Sequence, residues 1–289
     1  MFIKTAIALA ISVAATVALA APLQLEVYNP GAHSVFPVAS EIISGAHDAI
    51  LVDAQFQRND AEALVAKIKA SGKKLTTVYV SHSDPDYYFG LDVIHAAFPD
   101  ARIVATAPTV AAIKVLKDRK LAYWGPVLKE NAPQSLIVPD VLEGDRISLE
   151  DHALQIEGLD GPTPGRTFVW IPSLKAVVGG AVVFSGTHVW VADTPTRTSR
   201  QEWRATLRQI EALHPVKVVP GHYLGAAPSG TKAVTFTANY LRTFDKALDR
   251  AKDAPALISA MKTAYPKLAD ESWLELGANV VEGNVKWPQ

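Results

Sequence analysis

Strand-like and helix-like patterns alternate through the first half of the chain, and this alternation restricts the fold more than any other feature. The apolar run AILVDAQF at residues 49–56 predicts a buried strand that ends in an aspartate. The helical spacing of NDAEALVAKIKASG then predicts a helix capped by Asn59 or Asp60 and stopped at Gly72. LTTVYV predicts the next strand, a helix follows from near Gly90, and RIVATA with PTVAAIKVLKDRKLAYW repeats the unit.

The second half mixes strands and helices in a different order. DRISLEDHALQIEGL and FVWIPSLKAVVGGAVVF predict consecutive antiparallel strands separated by turns. SRQEWRATLRQIEALHP predicts an amphipathic helix with a serine cap, and VKVVPGHY predicts a short buried strand. The tail is predicted to form a helical C-terminal segment at about 234–289. Because both halves contain strands and helices, we expect two sheets with helices on the outside.

The first 20 residues are predicted to be a secretion signal and not part of the fold. Lys4 precedes a run of apolar and small residues that ends in Ala18-Leu19-Ala20, a signal-peptidase pattern. We expect cleavage to leave a mature domain of residues 21–289 in a periplasm or outside the cell. An uncleaved anchor is the alternative, and no later segment is apolar enough for stable membrane insertion.

Composition limits the partners and the ligand chemistry. The formal net charge is −1, so a broad basic face for nucleic acid is not expected, and a small-molecule substrate is the predicted partner. The sequence contains no cysteine, so any metal would depend on His, Asp and Glu side chains. Nothing in the sequence indicates an oligomeric state.

Two predicted strand ends carry residues that are able to bind a metal. SHSDPDYYFG follows LTTVYV and contains His82, Asp84 and Asp86, and His222 lies in VVPGHY. Ligands bind at the carboxyl ends of strands in open α/β folds, and alternate residues of an extended loop point to one side. Imidazole and carboxylate together suit zinc, iron or manganese. Capping of the next helix by Asp84 and Asp86, with Pro85 shaping a turn, explains the spacing equally well.

The sequence VYVSHSDPDYYFG resembles the His-x-His-x-Asp-His loop of the metallo-β-lactamase superfamily. AILVDAQF, PTPGRTFVWIPSLKAVVGG and VVPGHY resemble further segments of that family in the same order, over about residues 30–225. The resemblance implies an α/β (α+β) fold, a four-layer αβ/βα sandwich of two mixed β-sheets flanked by helices. It also implies a hydrolase in which a metal-activated water attacks a small ester, lactone or amide.

Only part of the family's ligand set is retained. His82, Asp86 and His222 match ligand positions, and Asp84 replaces a histidine by an oxygen donor. The other positions carry side chains that do not ordinarily bind a metal: Tyr87, Arg166 and Ala181. The resemblance therefore implies a reduced site, with one divalent ion on His82, Asp84, Asp86 and His222. Zinc is the expected ion, with iron or manganese as alternatives, and Asp86 is the expected catalytic residue that orients the water.

A metal-free pocket is the alternative function. A guanidinium cannot bind a cation, so Arg166 would repel a metal and could pair with Asp84 or Asp86 in its place. The protein would then bind a small molecule or anion on the same fold, or its pocket would be vestigial. Arg166 could also be an ordinary turn residue if the alignment is shifted by one or two positions.

Four residues are predicted to contact the substrate: Tyr87, Arg166, His188 and Trp190. Tyr87 and Trp190 would contribute an aromatic wall for a ring or acyl group. His188 would be a replacement ligand or proton shuttle, with a satisfied loop residue as the alternative.

Overall fold

The computed structural model describes residues 21–159 and 165–287. The predicted signal at residues 1–20 lies outside the described residues. The first sheet contains six strands in chain order. These are β1 (Gln24–Tyr28), β2 (Ser40–Ser44), β3 (Asp48–Val52), β4 (Lys74–Val80), β5 (Arg102–Ala105) and β6 (Asp140–Val141). The sheet is mixed, because β1 to β3 pair antiparallel and β3 to β6 pair parallel.

The second sheet is also mixed. Its five strands are β7 (Arg146–Leu149), β8 (His152–Glu157), β9 (Phe168–Ile171), β10 (Ala176–Val178) and β12 (Lys217–Val218). They lie in the order β12-β10-β9-β8-β7, with antiparallel pairs from β7 to β10, as the turn-separated strand patterns predict, and β12 parallel to β10. A separate parallel pair joins β11 (Phe184–Ser185) to β13 (His222–Tyr223). The VKVVPGHY segment therefore forms the predicted short strand as β12, before its Pro-Gly turn, and a second short strand, β13, after the turn.

Helices cover the outer faces of both sheets. They are α1 (Arg58–Ala70), α2 (Pro85–Tyr88), α3 (Leu91–Ala97), α4 (Ala107–Leu128), α5 (Arg197–Ala212), α6 (Lys232–Leu248), α7 (Ala254–Ala264) and α8 (Glu271–Val281). In the described part of the chain, no helix is both long enough and apolar enough to span a bilayer. The layer order is helix, sheet, sheet, helix, which confirms the predicted four-layer αβ/βα sandwich of two mixed sheets.

The period of two along each strand separates an inner core from the helix-covered cores. On β4, Val78 and Val80 belong to the cluster that packs against the helices, whereas Tyr79 belongs to the cluster between the sheets. Ile50 of β3 also faces the inner cluster. Alternate residues of a strand point to opposite faces of the sheet, and here each face packs against a buried cluster. Strands such as β3 and β4 are therefore buried on both faces, and their sequences are continuously apolar.

Two predicted helix caps are wrong. The N-cap residue of α1 is Gln57, not Asn59 or Asp60, and its side chain makes no capping bond. The N-cap of α5 is Thr196, whose hydroxyl accepts a hydrogen bond from the Ser199 backbone N–H, so the cap is a threonine instead of the predicted serine. The start of α1 is thus set by the connection from β3 without a capping side chain, whereas α5 does begin at a capping side chain, but three residues before the predicted serine.

Candidate functional site

The predicted site residues meet at one edge of the sandwich because two chain segments end there. His82 lies two residues beyond the end of β4, and α2 begins at Pro85. Asp84 is thus the N-cap residue of α2, although its carboxylate makes no capping bond, and Asp86 lies in the first turn. The β11–β13 pair brings in His222, which stacks on Phe184 with ring centroids 5.2 Å apart.

A buried aspartate joins three strand ends behind the site. Asp53, directly after β3, accepts hydrogen bonds from the Ser81 backbone N–H at 2.8 Å and the Ser81 hydroxyl at 2.7 Å. The Gly180 N–H in turn donates to the Ser81 hydroxyl at 2.8 Å. Burial raises the pKa of Asp53 to about 7, although the bonds from Ser81 and Gly180 oppose the rise. The aspartate predicted at the strand end is therefore a positioning residue for the loop that carries His82.

Both ring nitrogens of His222 are engaged by neighbouring side chains. Nε2 lies 2.7 Å from Asp86 Oδ2, and Nδ1 lies 3.0 Å from the Tyr87 hydroxyl. A carboxylate accepts hydrogen bonds, so Nε2 donates to Asp86 and Nδ1 accepts from Tyr87 when the ring is neutral. The preceding Gly221 has no room for a side chain, because a Cβ there would lie 2.1 Å from the Gly180 carbonyl oxygen. His222 is thus held by side chains on one side and by tightly packed backbone on the other.

A lysine from α4 enters the site and pairs with Asp84. The Lys120 ammonium is 2.6 Å from Asp84 Oδ1, and Asp84 Oδ2 lies 3.4 Å from Nδ1 of His82. Burial opposes ionisation of Asp84, but Lys120 and His82 outweigh it, so the pKa of this carboxyl lies below its usual range. Burial lowers the pKa of His82 to about 4, although the negative charge of Asp84 opposes this shift. The imidazole is therefore neutral near pH 7. Sequence analysis missed Lys120, since it lies 36 positions from Asp84 on a different element.

Arg166 is buried in the site and does not lie on a surface turn. Its guanidinium donates to the Ala181 carbonyl oxygen at 2.7 Å and lies 4.3 Å from the centre of the Trp203 ring. The ion pair predicted with Asp84 or Asp86 is not formed, and Lys120 takes the place beside Asp84. Burial lowers the pKa of Arg166, opposed by Asp193 and Asp84. A guanidinium stays charged under these conditions, so the site contains a second fixed cation.

Aromatic side chains form a large part of the wall of the pocket that contains these charges. The pocket contains about 460 Å³ of open space, including the part that opens to solvent. The predicted Tyr87, Arg166 and Trp190 line it together with Asp84, Asp86 and His222. Lining residues that sequence analysis did not single out are Phe36, Lys120, Trp124, Phe184, Asp193 and Trp287. The pocket therefore combines a broad apolar wall with charges of both signs.

Asp193 connects two indoles at the mouth of this pocket. Its Oδ2 accepts from Trp190 Nε1 at 2.6 Å, and its Oδ1 accepts from Trp287 Nε1 at 2.7 Å. Burial, and then repulsion from Asp84, raise the pKa of Asp193 to about 6. Trp190 and Asp193 are three residues apart in sequence, whereas Trp287 and Asp193 are 94 residues apart. The Trp287 contact therefore could not be predicted from the sequence around either residue.

His188 does not contact the pocket, in contrast to its predicted role. It is buried, and its Nδ1 is 2.9 Å from the hydroxyl of Tyr240 on α6. It is absent from the pocket wall described above. The turn after β11 directs the imidazole toward the helical tail, so His188 is a satisfied core residue, the alternative given by the sequence.

The sandwich with a polar pocket at its strand ends defines a class of α/β protein, and comparison with known proteins identifies the family. The family model described as the metallo-beta-lactamase superfamily matches residues 34–222. The chain therefore belongs to the metallo-β-lactamase superfamily. No curated protein sequence matches the chain.

Solved structures share the fold at low sequence identity. A metallo-β-lactamase from Pontibacter korlensis is 16% identical with a TM-score of 0.55, over 78% of this chain and 97% of that chain. The DIM-1 metallo-β-lactamase exposed to ceftazidime is 19% identical with a TM-score of 0.53, over 78% and 99%. VMB-1 at pH 5.5 is 18% identical with a TM-score of 0.55, over 78% and 94%. At these identities the likeness shows a common fold and no more.

The described residues do not fit the zinc ion that the superfamily generally binds. All four predicted ligands are described, yet no group of three or more His, Asp or Glu side chains in residues 21–159 and 165–287 is placed to hold a metal. His222 uses both ring nitrogens, and Lys120 holds Asp84. The predicted one-metal site on His82, Asp84, Asp86 and His222 is thus not assembled.

Proposed function

We propose that this protein binds a small organic ligand in the aromatic pocket without a metal, using Lys120 and Arg166 as fixed positive charges. The observation that carries the proposal is the 2.6 Å contact between the Lys120 ammonium and Asp84, one of the four predicted metal ligands. A cation is thus supplied by the chain itself. This is the metal-free alternative from the sequence, with Lys120 in the role expected of Arg166.

The charges in the pocket favour a ligand that carries an acidic group. Lys120 offsets Asp84 and His222 faces Asp86 at close range. The direct contacts of Arg166 among the described residues are a neutral carbonyl and an aromatic ring, and the nearby Asp193 and Asp84 carboxylates stabilise its charge without pairing with it. Guanidinium groups bind carboxylates with two parallel hydrogen bonds, and burial strengthens such contacts. We therefore propose a carboxylate as the polar part of the ligand.

The aromatic wall favours a flat apolar body beside that acidic group. Phe36 lies at the centre of this wall, with ring centroids 5.2 Å from Trp124, 6.0 Å from Trp190 and 5.5 Å from Trp273. Rings at these distances and angles accept another ring edge-to-face or in an offset stack. A planar ring bearing a carboxylate is the simplest molecule that meets both requirements.

Metal content tests the proposal directly. We expect the mature protein, purified without chelator and dialysed against zinc, to contain far less than one equivalent of zinc, iron or manganese by elemental analysis. Arg166→His removes a cation and adds an imidazole, so a gain of zinc in this variant alone would support the proposal. About one equivalent in the wild type, lost in His222→Ala, would contradict it and favour the metal-dependent hydrolase of small esters, lactones or amides.

Benzoate is the probe for the proposed ligand chemistry. We expect calorimetric titration to show binding that weakens about 10- to 100-fold in Arg166→Met, because a charged hydrogen bond contributes about 1.5–3 kcal/mol. The benzoate affinity of Arg166→Lys should lie between those of the wild type and Arg166→Met, because lysine keeps the positive charge but cannot make two parallel hydrogen bonds to a carboxylate. Arg197→Met, at an exposed arginine, is the matched control. Equal benzoate affinity in the wild type and in a folded Arg166→Met protein would contradict the role of Arg166.

Export to a periplasm or beyond, and the small molecule as partner, remain proposals. The first is supported by the signal-like sequence of residues 1–20 and would be tested by N-terminal sequencing of the secreted protein.

A further inference from the structure

We infer that a cavity beside the ligand pocket is a second subsite, which holds the distal ring and a second acidic group of one elongated ligand. This cavity, the α4 cavity, is lined by Leu116, Arg119, Lys120, Tyr123, Trp124 and Trp287. The inference rests on the proposed function and deepens it, because it extends the ligand from an aromatic carboxylate to an aromatic dicarboxylate with two linked rings.

The α4 cavity lies directly beside the ligand pocket. Lys120, Trp124 and Trp287 line both spaces, so the same three side chains form part of each wall. The α4 cavity contains about 280 Å³ of open space, including the part that opens to solvent. A ligand seated in the pocket would therefore reach the α4 cavity through an extension that passes these shared side chains.

One face of α4 provides most of the wall of this cavity. Leu116, Lys120 and Tyr123 follow one another at spacings of four and three residues, which places their side chains on the same side of the helix. Tyr123 is 53% exposed, and its ring centroid lies 4.8 Å from that of Trp124 and 5.6 Å from that of Trp287. The α4 cavity thus offers aromatic contacts to another ring, as the ligand pocket does.

The charged side chains described around the α4 cavity are all positive. Among the described residues that line it, Arg119 and Lys120 are charged and none is acidic. The Lys120 ammonium already pairs with Asp84 in the ligand pocket. Arg119 is exposed, and its neighbour Asp118 pairs with Lys117. The Arg119 guanidinium is therefore the charge that remains for an acidic group of the ligand, and a guanidinium binds a carboxylate through two parallel hydrogen bonds.

An aromatic dicarboxylate with two linked rings meets these requirements. One ring and its carboxylate would occupy the ligand pocket near Arg166, and the second ring and carboxylate would occupy the α4 cavity near Arg119. A single methylene between the rings lets them turn relative to each other where the ligand passes the shared wall. Starting from benzoate, 4-benzylbenzoate adds the second ring, and 4,4′-methylenedibenzoate adds the second carboxylate.

Calorimetric titration with 4-benzylbenzoate tests the second subsite. We expect the wild type to bind it about 10-fold more tightly than benzoate, because part of a second ring is buried. Leu116 lines the α4 cavity and not the ligand pocket, so Leu116→Trp should fill the cavity, abolish this gain and leave benzoate affinity unchanged. Val115→Trp makes the same substitution at a neighbouring residue that is 75% exposed, and this matched control should keep the gain.

Titration with 4,4′-methylenedibenzoate tests the second acidic group. Arg119→Ala should weaken its binding about 2- to 5-fold, the range of an exposed ion pair, and should leave 4-benzylbenzoate affinity nearly unchanged. Lys114→Ala removes an exposed positive charge from the same helix outside the cavity and is the matched control. Equal losses of dicarboxylate affinity in Arg119→Ala and Lys114→Ala would refute the role of Arg119.

The outcomes separate the second subsite from the proposed function. Equal affinities of the wild type for benzoate and 4-benzylbenzoate, or a gain that persists in Leu116→Trp, would overturn the second subsite and leave the proposed function intact. Stoichiometric zinc in the wild type, or no binding of any of the three compounds, would refute the proposed function itself. Benzoate affinity equal to that of the wild type would show that Leu116→Trp is folded.

Discussion

Replacing Glu41 by glutamine should make the protein progressively more stable relative to the wild type as the pH rises above the ordinary pKa of a glutamate, until the pH reaches the raised pKa of Glu41 in the folded protein. Glu41 lies on β2, is fully buried, and has no hydrogen-bond partner for either carboxylate oxygen. Burial raises its pKa well above the ordinary value, and the nearby Asp53 adds to the rise, while Lys217 opposes it. The folded protein therefore keeps a proton on Glu41 at pH values where the unfolded chain has released it.

The sign of the pH dependence follows from this difference in bound protons. Above the unfolded pKa of Glu41 and below its raised folded pKa, the folded state binds more protons than the unfolded state. Stability is then lost at about 1.4 kcal/mol per pH unit as the pH rises. Glutamine does not titrate, so the variant lacks this loss. The buried amide has its own cost, but that cost does not depend on pH, and the slope is therefore the quantity to compare.

Urea denaturation at pH 5, 6, 7 and 8 measures that slope for wild type and Glu41→Gln. Glu62→Gln, at an exposed position of α1, is the matched control and should follow the wild type at every pH. Parallel stability curves for wild type and Glu41→Gln would contradict the prediction and would mean that the Glu41 carboxylate is ionised in the folded protein.

The alternation of strands and helices could be predicted because its signals are local. β4 is buried on both faces and is therefore a short, continuously apolar run, which is a sequence signal of a strand. The starts of α1 and α5 could not be predicted as well, since Gln57 and Thr196 lie in connections whose geometry depends on the packed strands. Pairing of β11 with β13 joins residues almost 40 positions apart and has no local signal.

The candidate site could be predicted in part for the same reason. Strand-end chemistry indicated His82, Asp86 and His222, and the structure places Asp86 and His222 in direct contact. Lys120 could not be predicted, because a single lysine in a lysine-containing helix resembles a solvated residue until α4 is packed against the site. The resemblance to a metal-binding family also says nothing about cations contributed from outside its motifs. That is why the sequence favoured a metal and the geometry favours a charge supplied by the chain.

Replacing Asp245 by alanine should lower the free energy of unfolding by about 3–5 kcal/mol, because it leaves a buried arginine without its counterion. Asp245 of α6 accepts from Arg200 Nε at 2.7 Å and from Arg204 at 3.0 Å, and the side chains of Arg200 and Asp245 are 1% and 5% exposed. Arg200 also donates to the carbonyl oxygens of Thr194 and Pro195. These neutral acceptors orient the guanidinium but do not neutralise it.

The same helix pair offers a matched control on its surface. Asp249, the C-cap residue of α6, pairs with Arg197 of α5, but these side chains are 57% and 46% exposed, so Asp249→Ala should cost no more than about 1 kcal/mol. Urea denaturation at pH 7 compares the two variants, and similar small losses in both would contradict the prediction. The buried pair also bears on the ligand pocket, because Trp203, whose ring supports Arg166, lies on α5. A loosened α5–α6 contact should therefore weaken benzoate binding in Asp245→Ala and leave it unchanged in Asp249→Ala.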